Sequence, residues 1–314
     1  MSGDPPCRTV PCPQVQPVPD AISVIIPNLD SPLVDRTVDA VFAQHGASAS
    51  EVLVVGRDGP GRLRGDRRVR VIPTDGPKLP GAARNVGVAA ASGRLLVFVD
   101  ADCVPEPDWL RAHQARHRAG ETLVGGAVLW DARPYWTLVD NLSMFHECDP
   151  TTPAGRRRYL PTLNLSVSRA AFEAAGPMDP GLPRGEDLDW TIRAAAAGHA
   201  PYFEPAARVW HRPPRATARA AWRHWRESGR WMVTVRRRHP RVFHAPPWAY
   251  HRALVLVLAP LLAAAATARV FGPGRPGTRY RRALPGVYVT KLAWCAGAAF
   301  PAPAPEAVPA QRAP

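Results

Sequence analysis

The sequence predicts an α/β protein with a central, mostly parallel sheet, followed by a C-terminal helical region. Short apolar runs alternate with segments of helical period through the first half of the chain. The run Leu95–Val99 is apolar throughout, which is typical of a strand that is buried on both faces. Uncharged stretches rich in Ala and Leu occur only near the C-terminus, where they predict helices.

The composition allows a sizeable core and favours an anionic partner. The 314 residues are 46% hydrophobic and carry a formal net charge of +14, from 40 Lys and Arg against 26 Asp and Glu. This balance favours nucleic acid, anionic lipid or a phosphorylated substrate. The five cysteines have neither zinc spacing nor the pattern of a disulfide framework, which indicates a reducing compartment. Segment 1–20 is rich in Pro, shows no secretory signal and is expected to be a disordered tail.

Two carboxylates follow the apolar strand Leu95–Val99 directly. Asp100 and Asp102 are separated only by Ala101. In an open α/β sheet, ligands bind at the carboxyl ends of the strands, so these side chains are well placed to meet a ligand. Carboxylate oxygens are the ligands that Mg²⁺ and Mn²⁺ prefer when they carry substrate phosphates. The alternative is a polar loop that follows a strand and binds nothing.

The first hundred residues are predicted to alternate between strands and helices. A first strand is stopped by Pro27 and Asn28, and Asp30 or Ser31 is expected to cap a helix that begins at Pro32. The strands of this half are expected at Ile22–Ile26, Val52–Val55, Val69–Ile72 and Leu95–Val99, and a second helix at Pro80–Ala91.

The next part of the chain continues this alternation, with one segment that resists assignment. Residues Ala132–Arg158 mix aromatics, prolines and a basic run, and are expected to form a mobile loop near an acceptor. The acidic start of the helix at Gly185–Ala197 suits the positive end of the helix dipole. The remaining elements are helices at Pro107–Arg118 and Arg169–Ala175, strands at Thr122–Leu129 and Leu160–Ser168, and short edge strands at Tyr202–Glu204 and Arg208–Trp210.

An ordered set of motifs now points to a family. The set comprises SVIIPN at 23–28, EVLVV at 51–55, AARNVG at 82–87, FVDADC at 98–103, NLSVSR at 164–169 and GEDLDW at 185–190. Over Ala21–Pro240 the chain resembles the family-2 inverting glycosyltransferases, which have the GT-A (nucleotide-diphospho-sugar transferase) fold. No single motif is very specific, but their order and separations are.

The resemblance implies a metal site that offsets the charge growing on a diphosphate leaving group. It makes Asp102 the direct ligand of Mg²⁺ or Mn²⁺, and it places Asp100 on the ribose or on the metal through water. It also makes His211 a further metal or phosphate contact. A single histidine after a strand is otherwise a common structural residue.

The resemblance also implies a general base for the acceptor hydroxyl. That residue is Asp187, with Glu186 orienting the acceptor or the local backbone, and with Asn164 and Trp190 expected to contact the acceptor. Asp189 lies too far along the helix to share the direction of Asp187. The purely structural interpretation is that Glu186 and Asp187 only complement the helix dipole.

For the nucleotide, the resemblance implies contacts from Pro27, Asn28, Asp58, Arg84 and Asp100. One departure from the family pattern leaves the identity of the donor's nucleobase undetermined. Gly56 and Arg57 stand where a carboxylate pair normally follows the second strand, and Asp58 is displaced. Uridine, thymidine and guanosine donors are therefore all compatible with the sequence, and Arg84 could instead be a solvated helix residue.

The C-terminal third combines a basic stripe with apolar runs. One helix is predicted to carry an arginine stripe, with Glu227 the only acidic residue between Arg208 and Arg241. Two uncharged runs, Ala253–Ala268 and Leu292–Pro305, are shorter than the roughly 20 residues of a membrane span. We expect a helical hairpin that lies on or dips into an anionic membrane, although a soluble helical packing domain is nearly as compatible. The stripe consists of Arg215, Arg219, Arg223, Arg226 and Arg230.

The leading hypothesis is a metal-dependent inverting glycosyltransferase at the cytoplasmic membrane face, acting on a lipid-linked or polysaccharide acceptor. Nucleotidyl transfer at Asp100 and Asp102 is a rival, and it predicts pyrophosphate release. A non-catalytic binder of membranes or nucleic acid is a second rival, although aromatic platforms for bases are not evident. The expected organisation is a glycosyltransferase domain at 21–240, a helical region at 241–300 and a disordered tail at 301–314.

Overall fold

The computed structural model describes residues 21–244 and 246–303. The predicted tail at 1–20 lies outside the described residues, as does the part of the C-terminal tail at 304–314. Residues 301–303 form neither helix nor strand.

A mixed sheet of nine strands forms the centre of the described chain. The strands are β1 (Ile22–Leu29), β2 (Glu51–Arg57), β3 (Arg70–Pro73), β4 (Leu95–Val99), β5 (Cys103–Pro105), β6 (Leu123–Leu129), β7 (Gly155–Arg156), β8 (Asn164–Ser168) and β9 (Tyr202–His211). Their order is β3-β2-β1-β4-β8-β6-β9-β5, with β7 also paired to β9. The four strands from β3 to β4 are parallel, as are β6 and β9, whereas β8, β5 and β7 run antiparallel to their neighbours.

Helices cover the sheet and form the C-terminal region. They are α1 (Val34–Phe42), α2 (Pro80–Ala90), α3 (Trp109–Arg118), α4 (Tyr135–Phe145), α5 (Arg169–Ala175), α6 (Glu186–Ala196), α7 (Ala218–Arg238), α8 (Pro240–Phe243), α9 (Arg252–Phe271) and α10 (Leu284–Ala298). All five residues of β4 are buried, as predicted for a strand covered on both faces. The main core lies between the sheet and the helices packed on it.

Three local predictions were wrong. Helix α1 begins at Val34 rather than Pro32, because the Asp30 carboxylate accepts bonds from Gly59 N and the Arg57 side chain instead of capping a helix. Strand β9 is continuous and lies between β6 and β5, so it is not a pair of edge strands. The segment expected to be a mobile loop contains α4, whose residues are mostly buried, followed by a 3₁₀ turn and β7.

Helix α10 is packed into the C-terminal region at close range. A Cβ added to Gly297 would lie 1.8 Å from the Arg226 carbonyl oxygen, and one added to Gly229 would lie 2.0 Å from the Trp294 carbonyl oxygen. The backbones of α7 and α10 therefore touch where both helices carry glycine. Ser143 of α4 and Thr290 of α10 share a buried hydrogen bond of 2.7 Å, which also joins α10 to the helix preceding β7.

Helix α9 differs from α10 because much of its apolar surface faces outward. Among the described residues it is the one helix long and apolar enough to cross a membrane, with a mean hydropathy of 2.1 and 22% of that window buried. Val257 is 76% exposed and Leu261 is 69% exposed. The predicted helical hairpin is present, but its two arms have different surroundings.

Candidate active site

The candidate metal ligands meet where β4 and β9 end. Strand β5 pairs antiparallel with β9, and its register sets Cys103 opposite His211. Asp102, one residue before β5, therefore faces the same histidine, with 3.6 Å between Asp102 Oδ2 and His211 Nε2. This register brings together two residues that are 109 positions apart in the numbering.

The donor set at this point suits a hard divalent cation. Ligand atoms of Asp102, Cys103 and His211 all lie within 4.8 Å of one another. Burial raises the pKa of Asp102, but His211 and Arg215 outweigh that effect, so its pKa is below the ordinary value and the carboxylate is ionised. Burial and the neighbouring aspartates hold the pKa of Cys103 well above its usual value, so it stays a thiol. The carboxylate oxygen suits Mg²⁺ or Mn²⁺, the imidazole nitrogen favours Mn²⁺ of these two, and a protonated thiol does not favour metals that prefer thiolate ligands.

Arg84 joins this end of β4 to the start of α6. Its Nη2 lies 2.6 Å from Asp100 Oδ1, and its Nη1 lies 2.8 Å from Glu186 Oε1. The Arg84 side chain is 3% exposed. It is therefore neither the solvated residue of the alternative interpretation nor free to contact a nucleotide, as the resemblance implied. Instead it fixes two site carboxylates relative to each other.

The carboxylates at the start of α6 have elevated pKa values. Burial raises the pKa of Glu186 to about 7, and the nearby charge of Asp187 adds to this, while Arg84 opposes it. Burial also raises the pKa of Asp187, against the opposing effects of Arg84 and of backbone hydrogen bonds from Leu188 and Thr162. Asp100 contributes to the Asp187 shift by charge repulsion, so both lie in the same electrostatic environment. A carboxylate with a raised pKa is a better proton acceptor.

Asp189 has a different environment from Asp187. Its Oδ1 lies 2.9 Å from His239 Nε2 and its Oδ2 lies 3.1 Å from Arg193 Nε. The side chain is 5% exposed and ties α6 to the end of α7. These contacts engage Asp189 within the protein, and the choice of Asp187 as the base stays a prediction.

The polar side chains expected to contact a nucleotide are already hydrogen bonded within the protein. Asn28 donates from Nδ2 to the Arg57 carbonyl and accepts from Ser31 N, and only 5% of the residue is exposed. The Asp58 carboxylate accepts from the amides of Arg62 and Leu63, which closes a surface turn. Pro27 lies half-buried in β1.

An exposed ion pair that the sequence did not single out lies at this edge. Arg57 Nη2 is 2.5 Å from Asp30 Oδ2, and their side chains are 56% and 26% exposed. Gly56 beside it has φ of 126°, and a Cβ there would lie 2.1 Å from the Asn28 carbonyl oxygen. The backbone of β1 and β2 is thus in close contact where their carboxyl ends meet.

The two residues expected to contact the acceptor are buried, so that prediction is corrected. Trp190 is fully buried and donates from its indole nitrogen to the Gly176 carbonyl. Asn164 is 1% exposed and donates to the carbonyl oxygens of Ala127 and Ala207. Its Oδ1 accepts from the Trp109 indole nitrogen at 2.7 Å. Asn164 therefore holds the irregularity between β6 and β9 rather than facing a ligand.

Sequence reasoning missed the residues of α4 that reach the site. Asn141 Oδ1 lies 2.5 Å from His211 Nδ1, and Asp140 Oδ2 lies 2.7 Å from Arg215 Nε. Arg215 belongs to the predicted arginine stripe but precedes α7 and forms a salt bridge with the buried Asp140. The available signal was the adjacent polar pair Asp140 and Asn141 inside the mostly apolar run Leu138–Phe145.

Comparison with known proteins gives consistent matches. The family described as "Glycosyltransferase like family 2" matches residues 19–234. The glycosyltransferase AglE of Haloferax volcanii is 31% identical over 193 residues, which cover 58% of this chain and 64% of AglE. The succinoglycan biosynthesis protein ExoO of Rhizobium meliloti is 34% identical over 104 residues, which cover 32% of this chain and 30% of ExoO. The chain thus spans less than two thirds of the length of either relative.

Among solved structures, a mannosyltransferase of Pyrobaculum calidifontis in complex with GDP-Man and Mn²⁺ has a similar architecture. The TM-score is 0.59, with 18% sequence identity, and the alignment covers 94% of this chain and 89% of that one. Identity this low establishes a shared fold and no more.

Proposed function

Because the chain belongs to glycosyltransferase-like family 2, we propose that it is a metal-dependent inverting glycosyltransferase. It moves a hexose from a nucleoside diphosphate to a lipid-linked or polysaccharide acceptor, in the synthesis of a cell-envelope glycan. It acts at the cytoplasmic face of the membrane, as a peripheral protein. The glycosyltransferase domain is residues 21–240, and the helices after it form the membrane-associated region.

One observation supports this proposal most strongly. Arg84 contacts Asp100 at 2.6 Å and Glu186 at 2.8 Å, which joins the metal-binding end of β4 to the acidic start of α6. Arg84 binds Asp100 and Glu186. Asp102 follows Asp100 with only Ala101 between them, and Asp187 comes directly after Glu186. One site can therefore bind the donor phosphates and the acceptor hydroxyl together.

The departure of the diphosphate is assisted from the β4 and β9 side. Asp102 and His211 would hold the cation, which supplies Lewis-acid stabilisation of the diphosphate oxygens when it is bound. Asp100 would orient toward the ribose or a water in the cation shell, while the ion pair with Arg84 at 2.6 Å holds its carboxylate in place. Arg215, anchored by Asp140, adds positive charge on the same side.

The acceptor is activated from the α6 side. Asp187 takes the proton of the attacking hydroxyl as the new glycosidic bond forms, and its raised pKa suits that task. Glu186 is held by Arg84 and fixes the backbone at the start of α6. Attack from the face opposite the diphosphate inverts the anomeric configuration.

The nucleobase of the sugar-nucleotide donor contacts the carboxyl ends of β1 and β2, at Pro27, Asn28 and Asp58. The polar side chains there are engaged internally, so the exposed Asp30–Arg57 pair is the group best able to select a base. The match in fold to a structure with GDP-Man and the match in sequence to AglE are compatible with a nucleotide-sugar donor.

Asp102→Asn should abolish donor binding that depends on Mn²⁺. In the presence of Mn²⁺, we expect one nucleoside diphosphate sugar to raise the melting temperature of the wild type. At 100 times its Kd, the bound sugar nucleotide adds about 2.7 kcal/mol to the free energy of unfolding. The variant loses the charged ligand while the backbone bond from Arg212 N to the Asp102 carbonyl is unaffected. Turnover should fall at least about 100-fold, because a bound cation contributes several kcal/mol. Thermal unfolding across a panel of donors measures the Mn²⁺-dependent donor binding, and a transfer assay measures the turnover.

The matched control for that experiment is Asp108→Asn. Asp108 is close in sequence, but its side chain is 55% exposed, and within the part of the chain that the structure describes its ion pair is with Arg111. This variant should keep the Mn²⁺-dependent stabilisation. Stabilisation of Asp102→Asn equal to that of the wild type would contradict the metal assignment, and release of pyrophosphate would favour nucleotidyl transfer.

Association with an anionic membrane should depend on the outward face of α9. Val257→Glu combined with Leu261→Glu puts two charges on its most exposed apolar positions and should remove most of the binding to vesicles that contain phosphatidylglycerol. Arg219, Arg223 and Arg226 of α7 are exposed and form no ion pair among the described residues, so binding should also weaken as salt rises. Vesicle co-sedimentation measures this.

Substitution is preferable to deletion here, because removing the C-terminus would also remove α10 and its contacts with α7. Val71→Glu, at an exposed apolar residue of β3, is the control and should bind as the wild type does. A wild-type protein that stays in the supernatant at low salt would show that the membrane assignment is wrong.

A further inference from the structure

Two adjacent residues of α4 reach toward the metal-binding end of the site. Asp140 and Asn141 are both fully buried. Asp140 accepts from Arg215 Nε at 2.7 Å and from the Trp225 indole nitrogen at 2.9 Å. Asn141 contacts the ring of His211. Helix α4 is therefore attached both to the last residue of β9 and to the segment between β9 and α7.

The orientation of the Asn141 amide follows from its neighbours. Its Nδ2 lies 3.1 Å from the Thr137 carbonyl oxygen and 3.5 Å from the His211 carbonyl oxygen. Both are acceptors only, so the NH₂ group must face them and Oδ1 must face the histidine ring. Since Oδ1 is itself an acceptor, His211 Nδ1 carries the hydrogen in the 2.5 Å bond between them.

This hydrogen bond determines what the other ring nitrogen can do. With one hydrogen held on Nδ1, Nε2 is the ring nitrogen whose proton a bound cation would displace, and its lone pair is then available as a ligand. That nitrogen faces Asp102 Oδ2 at 3.6 Å. The ring is also held by Phe145, which meets it edge-on with the centroids 5.1 Å apart. Asn141 and Phe145 both belong to α4, so one helix determines the rotation and the tautomer of the ring.

We propose that Asn141 is a positioning residue that holds His211 as the Nδ1–H tautomer, with Nε2 presented to a divalent cation shared with Asp102. The cation rests on the proposed function, whereas the tautomer does not. Groups that hydrogen bond to the far nitrogen of a ligating histidine fix its orientation and raise its basicity, and their loss typically weakens metal binding about 10- to 100-fold.

The tautomer can be measured in the full-length protein without metal, at a pH at which the His211 ring is neutral. Long-range proton–nitrogen correlation spectra of ¹⁵N-histidine-labelled protein distinguish the two tautomers, and His211→Gln identifies the signal. We expect the Nδ1–H form in the wild type and in Asn141→Asp, which keeps an oxygen for that bond. Asn141→Leu should shift the ring to a mixture or to the Nε2–H form. An unchanged tautomer in Asn141→Leu overturns the proposal.

The affinity for Mn²⁺ alone, measured by electron paramagnetic resonance, tests the consequence. Asn141→Leu should bind Mn²⁺ about 10- to 100-fold more weakly than the wild type, and Asn141→Asp, which keeps an oxygen toward Nδ1, should lose less of the affinity. Gln44→Leu is the control, because it loses partly buried hydrogen bonds, to Ala40 and Glu106, that involve neither Asp102 nor His211. Equal weakening in Asn141→Leu and Asn141→Asp indicates a merely structural role and overturns the proposal. Absence of Mn²⁺ binding in the wild type rejects the metal of the proposed function, and the tautomer result still decides the role of Asn141.

Discussion

Replacing Asp187 with asparagine should lower the rate of sugar transfer by about 10²- to 10⁴-fold, which is the usual contribution of a general base. Asparagine has nearly the same shape, and its oxygen can still accept from the amide of Leu188, which bonds to Asp187 at 2.8 Å. The variant should therefore fold normally and bind the donor with Mn²⁺ as tightly as the wild type does. A transfer assay combined with donor-dependent thermal stabilisation separates the two effects.

The pH dependence of the same variant provides a second test. Because burial raises the pKa of Asp187, the wild-type rate should rise with pH through that elevated pKa and then level off, as the carboxylate loses its proton. The residual rate of Asp187→Asn should lack this limb of the profile.

Asp189→Asn is the matched control for Asp187. It neutralises a carboxylate on the same helix that bonds to His239 and Arg193, so it should reduce the melting temperature while transfer by the folded enzyme continues. If Asp187→Asn lost donor binding and transfer to the same extent, or if Asp189→Asn alone stopped transfer, the assignment of the base would be wrong.

Arg84→Met should reduce the free energy of unfolding by about 3–5 kcal/mol, since it removes the central charge of a buried ionic cluster. Glu186 is 8% exposed at its side chain and would be left without its ion-pair partner. Protonation of Glu186 would remove that uncompensated charge, so the loss should shrink as the pH is lowered. Urea-induced unfolding at several pH values measures both the size of the loss and its pH dependence.

The chain offers a close control in Arg68→Met. Arg68 also lies between two carboxylates, Asp66 and Asp39, but its side chain is 48% exposed. Solvent screens exposed ion pairs, which contribute little to stability, so this variant should unfold nearly as the wild type does. Equal losses at Arg84 and Arg68 would mean that burial of the Arg84 cluster has no special role.

Much of the fold was predictable because its signals are local. The limits of β4 and α5 agree with the predictions residue by residue, and α2 and β6 differ from theirs by one residue at one end. Apolar periodicity and turn residues are properties of short segments, and short segments are what a sequence displays directly. The segment that contains α4 was missed because its aromatics, prolines and basic run obscure the helical period.

The candidate site was predictable in part. The end of β4 and the start of α6, which the motifs identified, are brought together. Arg84, which was expected to contact the nucleotide, is buried and forms ion pairs with Asp100 and Glu186. Asn164 and Trp190 belong to motifs that resemble the family, yet both are buried with their polar groups bonded internally. A motif locates a residue near a site without showing which way its side chain faces.

The sequence by itself determined the α/β class, most of the strands and the carboxylates that follow β4 and open α6. Only the tertiary structure decided which partner each polar side chain has. Arg84 and Glu186 are 102 positions apart, and Asn141 and His211 are 70 apart. Contacts at such separations depend on strand register and helix packing across the whole molecule, which no local pattern of residues encodes.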